Sequence, residues 1–446
     1  MWERLRSIWT VPDLRNKILF TLAMLLVFRI LAHITVPLTS AEKSTLLGLF
    51  TSNSKNKDLG QLLGLLDVFS GGSLQTFSIV AFGVYPYITA TIVMQLLQPI
   101  IPALQNLSTQ GEAGRLRFSQ ITRIITVPLA LLQALGQCAI FQQAGVLSNF
   151  SLVDPKYALE TFSILIALTT GTMILVWIGE LITEKGIGNG ISIIIFAGIV
   201  SRLPQFVQQG YLASTSSGGT GGGVVSIAVF LIIGLITILG VVYIYQGQRR
   251  IPVQYPTKRQ VGRGMLVGSA QTTYIPMQVN SAGMIPLIFA QSMLIFPAVL
   301  SKYLTASTTP WLSGAASFIS TYVVNTSTWW YWLIYFGLVV AFTYFYAYVV
   351  WQQQNIPESL QKQGAFIPGY RPGEPTSKYL YAILNRITLA GALFLGIIAI
   401  LPFVSRIGAN QLLGSASILI AVGVVLDTIR QLEAQMVMRN YSGFLS

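Results

Sequence analysis

The chain has 446 residues, of which 53% are hydrophobic and only 9% charged, and its mean hydropathy is +0.65, whereas an ordinary soluble domain spends about a quarter of its residues on charge. Apolar stretches recur from end to end, which excludes water as the main solvent and favours one membrane-embedded bundle over several soluble domains. The net charge of +13 fits nucleic acid, anionic lipid or the Lys/Arg excess of cytoplasmic loops, while a single cysteine, Cys138, and a single histidine, His33, exclude a disulfide framework, a Cys/His zinc cluster and a Cys-His dyad within the chain, so neither metal nor cofactor is expected.

The first 17 residues are polar and basic, and the run after them is long enough to cross a bilayer, which predicts an uncleaved first helix. Measured against the roughly 20 residues a span needs, apolar runs predict spans at Ile18–Leu38, Leu74–Ile101, Ile121–Phe141, Phe162–Ile182 and Ile191–Val207. A second set follows at Val224–Tyr245, Ile275–Leu300, Trp330–Trp351, Leu380–Pro402 and Leu412–Ile429. The organisation expected is a cytoplasmic segment 1–17, an N-terminal half 18–207, an external loop 208–223, a C-terminal half 224–430 and a short tail 431–446. Five spans in each half enter the membrane in opposite directions, which suggests an inverted repeat by count alone.

An even number of spans places both termini on one side. If that side is cytoplasmic, it holds most of the 27 Lys and Arg residues, and the opposite side holds Lys43, Lys55, Lys57, Lys156, Arg202, Lys302 and Arg406. The positive-inside bias therefore predicts cytoplasmic termini. Two cytoplasmic loops are long: 246–274 is basic with no acidic residue, and 352–379 is rich in Pro and Gly; both are expected to be docking surfaces. The Ser/Gly tract Ser214–Gly223 has the composition of a flexible linker.

Some segments do not behave as ordinary spans. Leu59–Gln75 is apolar but broken by Gly60, Gly64, Gly71 and Gly72. It is too short to cross, and reads either as a half-helix in a protein-lined cavity or as an interfacial re-entrant loop. The second span contains Gly83, Pro86, Thr89 and Thr91, and the seventh opens at Pro276 with Asn280-Ser281-Ala282-Gly283 before Pro286; such residues either pack helices closely or line a wet passage. All 14 acidic residues fall in loops or near span ends, which counts against a proton-driven carrier. Arg29 lies well inside a span with His33 one turn later, a pair that reads as functional, snorkelling or structurally hydrogen-bonded. Trp329, Trp330 and Trp332 fit interfacial anchoring.

After the fourth span comes Gly186-Ile187-Gly188-Asn189-Gly190-Ile191-Ser192, preceded by Gly179-Glu180 and Thr183-Glu184-Lys185. With Phe69-Ser70-Gly71-Gly72, Pro86-Tyr87-Ile88, Gly111-Glu112-Ala113-Gly114-Arg115, Arg249-Arg250-Ile251-Pro252, Gly364-Ala365-Phe366-Ile367-Pro368-Gly369 and Arg371-Pro372-Gly373-Glu374, it resembles the motif series of the bacterial SecY family, in order across nearly the whole chain. That resemblance implies an all-α polytopic membrane fold, ten helices in two pseudo-symmetric five-helix halves around an hourglass pore, opening sideways between helices two and three and helices seven and eight. It implies a protein-conducting channel of the Sec translocase that passes unfolded secretory polypeptides and releases transmembrane segments into lipid.

By the same resemblance the constriction falls on Val84, Ile88, Ile195, Ile288 and Ile420. The plug half-helix is expected at about 59–75, through Leu62, Leu63, Leu65, Leu66, Phe69, Gly71 and Gly72, and the lateral gate at Thr91, Gln95 and Asn280. Docking of a SecA motor ATPase and of ribosomes is expected on Arg249, Arg250, Lys258, Arg259, Arg263 and Arg371, with small SecE-like and SecG-like subunits beside the channel in a cell membrane. A secondary transporter of small solutes is the rival class, since broken helices and inverted repeats occur there too. An intramembrane enzyme is not expected, because no catalytic constellation can be assembled from the spans.

Overall fold

The computed structural model describes residues 11–37, 39–50, 67, 70–143, 145–147, 150, 154–216, 222–261, 265–283, 285–305, 310–324, 328–404 and 415–442. In chain order these form α1 (Pro12–Leu31), α2 (Ser40–Phe50), α3 (Tyr85–Leu97), α4 (Pro102–Thr109), α5 (Gly111–Gln143), α6 (Pro155–Lys185), α7 (Gly190–Ser216) and α8 (Gly222–Gln246). A hairpin of β1 (Gln248–Val261) and β2 (Met265–Gln278) follows, then α9 (Ile285–Thr305), α10 (Pro310–Ile319) with a π turn at Ser320–Val324, α11 (Trp329–Gln354), α12 (Ile356–Lys362), α13 (Glu374–Val404) and α14 (Ser415–Ser442).

Eight of these helices, α1, α3, α4, α6, α9, α10, α12 and α13, carry proline within their first two positions. A proline there gives up an N–H that has no intrahelical partner anyway, and its fixed φ suits the first turn. Each predicted span falls at least in part on a helix. Among the described residues four stretches are long and apolar enough to cross a bilayer: Gly111–Gln142, Pro155–Lys185, Trp329–Lys362 and Glu374–Ile400. Leu22, Leu26 and Ile30 on α1, Ile124 and Leu132 on α5 and Ile397 on α13 are exposed, as side chains facing hydrocarbon are.

The chain divides into two compact units. The first comprises Met1–Ile227, Ser292–Tyr331 and Ile420–Ser446. Its apolar core gathers Leu46, Leu74, Phe77, Ala134, Cys138, Phe141, Ile164 and Leu168, with the Phe77 and Phe141 rings edge to face at 5.5 Å. The second comprises Ala228–Gln291 and Trp332–Leu419. There Ile251, Val253 and Met277 from the base of the hairpin pack with Trp351, Leu360, Ala365, Ile367, Leu380 and Leu384.

Three sequence expectations are corrected. The second span does not begin as helix at Leu74: residues 70–84 run as successive turns, with Phe77 and Gly83 at positive φ, and helix starts only where Tyr85-Pro86 supplies a proline first turn. The seventh span does not begin at Ile275 or open at Pro276, because Ile275, Pro276 and Met277 pair with Ile251, Arg250 and Arg249 as the end of β2, and the turn at Gly283 precedes α9. Within the predicted loop 246–274, residues 248–261 and 265–274 are strand, so the described residues are helical with one two-stranded addition. The short helices α2, α4, α10 and α12 were not expected, since none is long enough to register as a span.

Candidate functional site

In the first unit the turn-rich stretch leading into α3 is held by side chains of α1 and α7. Asp67 is fully buried (0% exposed) and forms an ion pair with Arg202 of α7, itself 8% exposed. Arg202 also donates from Nη2 to Gln75 Oε1 at 3.0 Å, and the Gln75 backbone N–H donates to Asp67 Oδ1 at 2.9 Å. Ser70 Oγ donates to the Asp67 carbonyl at 3.1 Å and accepts from the Leu74 N–H at 3.1 Å. Arg29 of α1 donates from Nη1 to the Gly71 carbonyl at 3.1 Å and to Ser201 Oγ at 3.2 Å, while His33 Nδ1 donates back to the Arg29 carbonyl at 2.8 Å. Asp67, Ser70, Gln75 and the Gly71 carbonyl of this irregular segment thus find partners, as such backbone inside protein requires, whereas Ser73 Oγ and Ser78 Oγ are buried with none among the described residues.

Gly71 explains why the segment can lie so close. Its φ is +67°, and a Cβ built there would sit 2.7 Å from Gly198 Cα of α7. Further along, the Val36 N–H donates to the Phe77 carbonyl and the Ile79 N–H to the Ile34 carbonyl, both at 2.9 Å, tying the stretch to the end of α1. Leu62, Leu63, Leu65, Leu66 and Phe69 lie outside the described residues.

Four of the five expected constriction residues, Val84, Ile88, Ile195 and Ile420, are buried in the first unit; Ile288, in the second, is half-buried. Of the expected gate residues, Thr91 Oγ1 donates to the Tyr87 carbonyl one turn back at 2.9 Å. Gln95 Oε1 is buried without a hydrogen-bond partner among the described residues. In the second unit Asn280 Nδ2 donates to the Gly283 carbonyl at 3.0 Å, and its Oδ1 is likewise buried and unpartnered. The three residues thus behave differently: the threonine is satisfied locally, and the two amides keep acceptor capacity.

The glycine-rich turn joins α6 to α7 at close quarters. A Cβ on Gly190 would lie 1.8 Å from the Gly179 carbonyl oxygen, so only glycine lets the two backbones cross there. The Gly190 N–H donates to Thr183 Oγ1 at 2.9 Å, and the Ile187 N–H donates to Thr21 Oγ1 of α1 at 3.2 Å. Asn189 Oδ1 accepts from the Ser192 N–H at 3.2 Å, an N-cap for α7.

The two long loops meet in the second unit. Gln254 of β1 and Phe366 exchange backbone hydrogen bonds, Gln254 N–H to Phe366 carbonyl at 2.9 Å and Phe366 N–H to Gln254 carbonyl at 3.0 Å. Ala365 and Ile367 are buried on either side, beside Ile251 and Val253. Arg249 and Arg250 are exposed at the base of the ribbon, and Arg371 is exposed beside a stacked Tyr370–Tyr379 pair at 4.0 Å. Thr376 Oγ1 donates to the Arg371 carbonyl at 2.7 Å and fixes that turn. Lys258 and Arg259 lie in β1, and Arg263 lies outside the described residues.

Residues 78–429 match the sequence profile of the SecY family. This chain belongs to the SecY family. A protein translocase subunit SecY from Thermotoga maritima is 40% identical over 450 residues, covering 100% of this chain and 98% of the relative. One from Mycobacterium tuberculosis is 41% identical over 442 residues, 97% of each chain. Among solved structures, one described as a protein conducting channel is similar with a TM-score of 0.63 at 20% identity, covering 97% of each chain. A SecY whose plug domain is described as stabilising the closed state and maintaining a membrane seal gives 0.64 at 20% identity, and the Sec61 of a canine ribosome-channel complex gives 0.60 at 21%, each covering 97% of both chains. The fold is the SecY/Sec61 channel fold.

Sequence reasoning did not find the Asp67–Arg202 pair. Arg202 was placed among the external basic residues, yet it is buried in α7. The signal available was a lone acidic side chain in an otherwise apolar broken segment and a lone basic one late in the fifth span, a complementarity that spacing alone does not reveal.

Proposed function

We propose how this channel subunit of the Sec translocon works. Unfolded secretory polypeptides pass through a ring made by Val84, Ile88, Ile195, Ile288 and Ile420. Branched apolar side chains around a narrow neck exclude water and ions by dewetting, yet deform around a moving chain without binding it. Sufficiently apolar segments leave sideways into lipid past Thr91, Gln95 and Asn280, sorted by their transfer free energy. At rest the segment 59–75 fills the space beyond the ring as a plug.

The observation that carries this reading is the irregular stretch of residues 70–84, which is packed into the first unit and runs directly into Val84 and α3. A span whose first part is folded turns rather than helix suits a cavity that empties and refills, and the polar contacts at Gly71 and Asp67 can break without unwinding a helix.

The joined loop surface, with Arg249, Arg250 and Arg371 exposed, is the docking site for a SecA-like motor and for ribosomes, whose RNA favours a basic patch. SecE-like and SecG-like subunits pack beside the channel in a cell membrane, with both termini cytoplasmic, a reading that the bias of Lys and Arg across the spans supports.

Single cysteines test the path. Val84→Cys, Ile195→Cys and Ile420→Cys are each paired with a cysteine in a translocation-arrested polypeptide, and Leu26→Cys on the exposed side of α1, where the leucine is 62% exposed, serves as comparison. Disulfides at the three ring positions and none at Leu26→Cys are expected. Adducts at Leu26→Cys and none in the ring would contradict a central polypeptide path.

A further inference from the structure

We propose that the Asp67–Arg202 ion pair, with Arg29 on the Gly71 carbonyl, is a latch that sets how firmly the segment around Gly71 is seated against α7. This deepens the plug reading and rests on it for the consequence, though not for the contact itself.

Three observations carry it. The pair is the one ion pair among the described residues in which both side chains are nearly sealed from solvent. Both arginines reach the same short stretch from different helices: Arg202 of α7 contacts Asp67 and Gln75, and Arg29 of α1 contacts Gly71 while sharing Ser201 with it, since Ser201 Oγ also lies 3.4 Å from the Gly71 carbonyl. A Cβ on Gly71 would stand 2.7 Å from Gly198 Cα, so the two backbones lie in close approach at the seat. Two cations from different helices are thus aimed at one segment with no regular structure of its own.

A buried pair adds little net stability relative to an apolar substitute, but breaking it leaves an uncompensated charge in a poorly solvated place. Seating is therefore most sensitive to loss of one partner and less sensitive to loss of both. If the segment leaves, Asp67 and Arg202 are hydrated separately and the cost of a missing partner vanishes. Single neutral substitutions accordingly shift the balance toward the unseated state, and the double substitution returns part of the way.

The readout is a cysteine at Ser73, which is 1% exposed and whose Oγ has no hydrogen-bond partner among the described residues, so Ser73→Cys breaks no hydrogen bond of that side chain. The full chain with its partner subunits is reconstituted in proteoliposomes. The rate of labelling by a small water-soluble maleimide is measured against the same protein without the introduced cysteine, whose native Cys138 is buried. Asp67→Asn and Arg202→Gln are each expected to raise the rate at least tenfold, Asp67→Asn/Arg202→Gln less than either, and Asp67→Glu little. Arg202→Lys, which keeps the charge and loses the Gln75 contact, falls between, and it serves if a neutral variant does not assemble.

Unchanged labelling in the single variants, or a lower Tm without faster labelling, overturns the latch and leaves the pair as ordinary packing. Faster labelling supports it. Resting ion current measured on the same variants then reports on the plug separately: labelling that rises without current keeps the latch and removes the seal from the segment it holds.

Discussion

Replacing Gly71 with alanine should unseat the stretch before α3. Two costs add at this position. Alanine at φ +67° loses roughly 1–2 kcal/mol relative to glycine because its Cβ crowds the following carbonyl. The same Cβ would stand 2.7 Å from Gly198 Cα, a backbone atom that cannot rotate away, and forcing such an overlap apart costs about 1–3 kcal/mol. Together they amount to roughly 2–5 kcal/mol, and even the lower figure changes the ratio of seated to unseated protein about 30-fold. Gly72 provides the comparison, since its φ is +90° but the nearest atom to its Cβ is Arg202 Nε at an ordinary 3.6 Å; Gly72→Ala carries the backbone cost alone. Potassium efflux from proteoliposomes holding each variant at equal density measures the effect. Gly71→Ala should leak most, Gly72→Ala less and the parent least. A Gly71→Ala channel as tight as the parent, or Gly72→Ala the leakier of the two, would refute the reasoning.

At the α6–α7 crossing, Gly190→Ala brings a Cβ within 1.8 Å of the Gly179 carbonyl oxygen, so the helices must separate, and thermal unfolding of the purified protein should show a clear drop in Tm that Gly314→Ala, with open space around it, does not. Ile251→Ala should remove about 2–5 kcal/mol of core packing from under the hairpin, and hydrogen exchange at the Gln254 and Phe366 amides should accelerate together, because each closes the other's bond. Arg249→Glu/Arg250→Glu, on exposed side chains, should leave Tm within a degree or two of the parent while weakening motor and ribosome binding, with a shallower dependence of ribosome affinity on salt.

Each apolar run contains a helix at least in part, because hydrocarbon demands about 20 consecutive apolar residues. Their failures have physical causes. Ile275-Pro276-Met277 reads as the start of a span by hydropathy, but Met277 is buried as one face of a strand against the second unit's own core, and a buried strand end is as apolar as a helix. Leu74–Val84 is apolar because it is enclosed by protein, and composition does not distinguish protein from lipid as the surrounding medium. The expected site was legible only through motifs: Val84, Ile88, Ile195 and Ile420 are individually ordinary branched residues, and nothing local marks them. Arg29 was recognisable as unusual, but its partner, the Gly71 carbonyl, lies in another segment and carries no side chain to be read. The coupling of the two long loops through Gln254 and Phe366 was equally invisible, since backbone bonds leave no mark on composition.

The most direct test of a plugged, polypeptide-conducting pore is the resting ion conductance of the purified protein in planar bilayers, compared with a variant lacking Leu62–Gly72. A tight parent and large, poorly selective currents in the deletion variant, blocked when a translocating polypeptide occupies the pore, are predicted. Unchanged currents after the deletion, coupled instead to a small solute, would contradict the account.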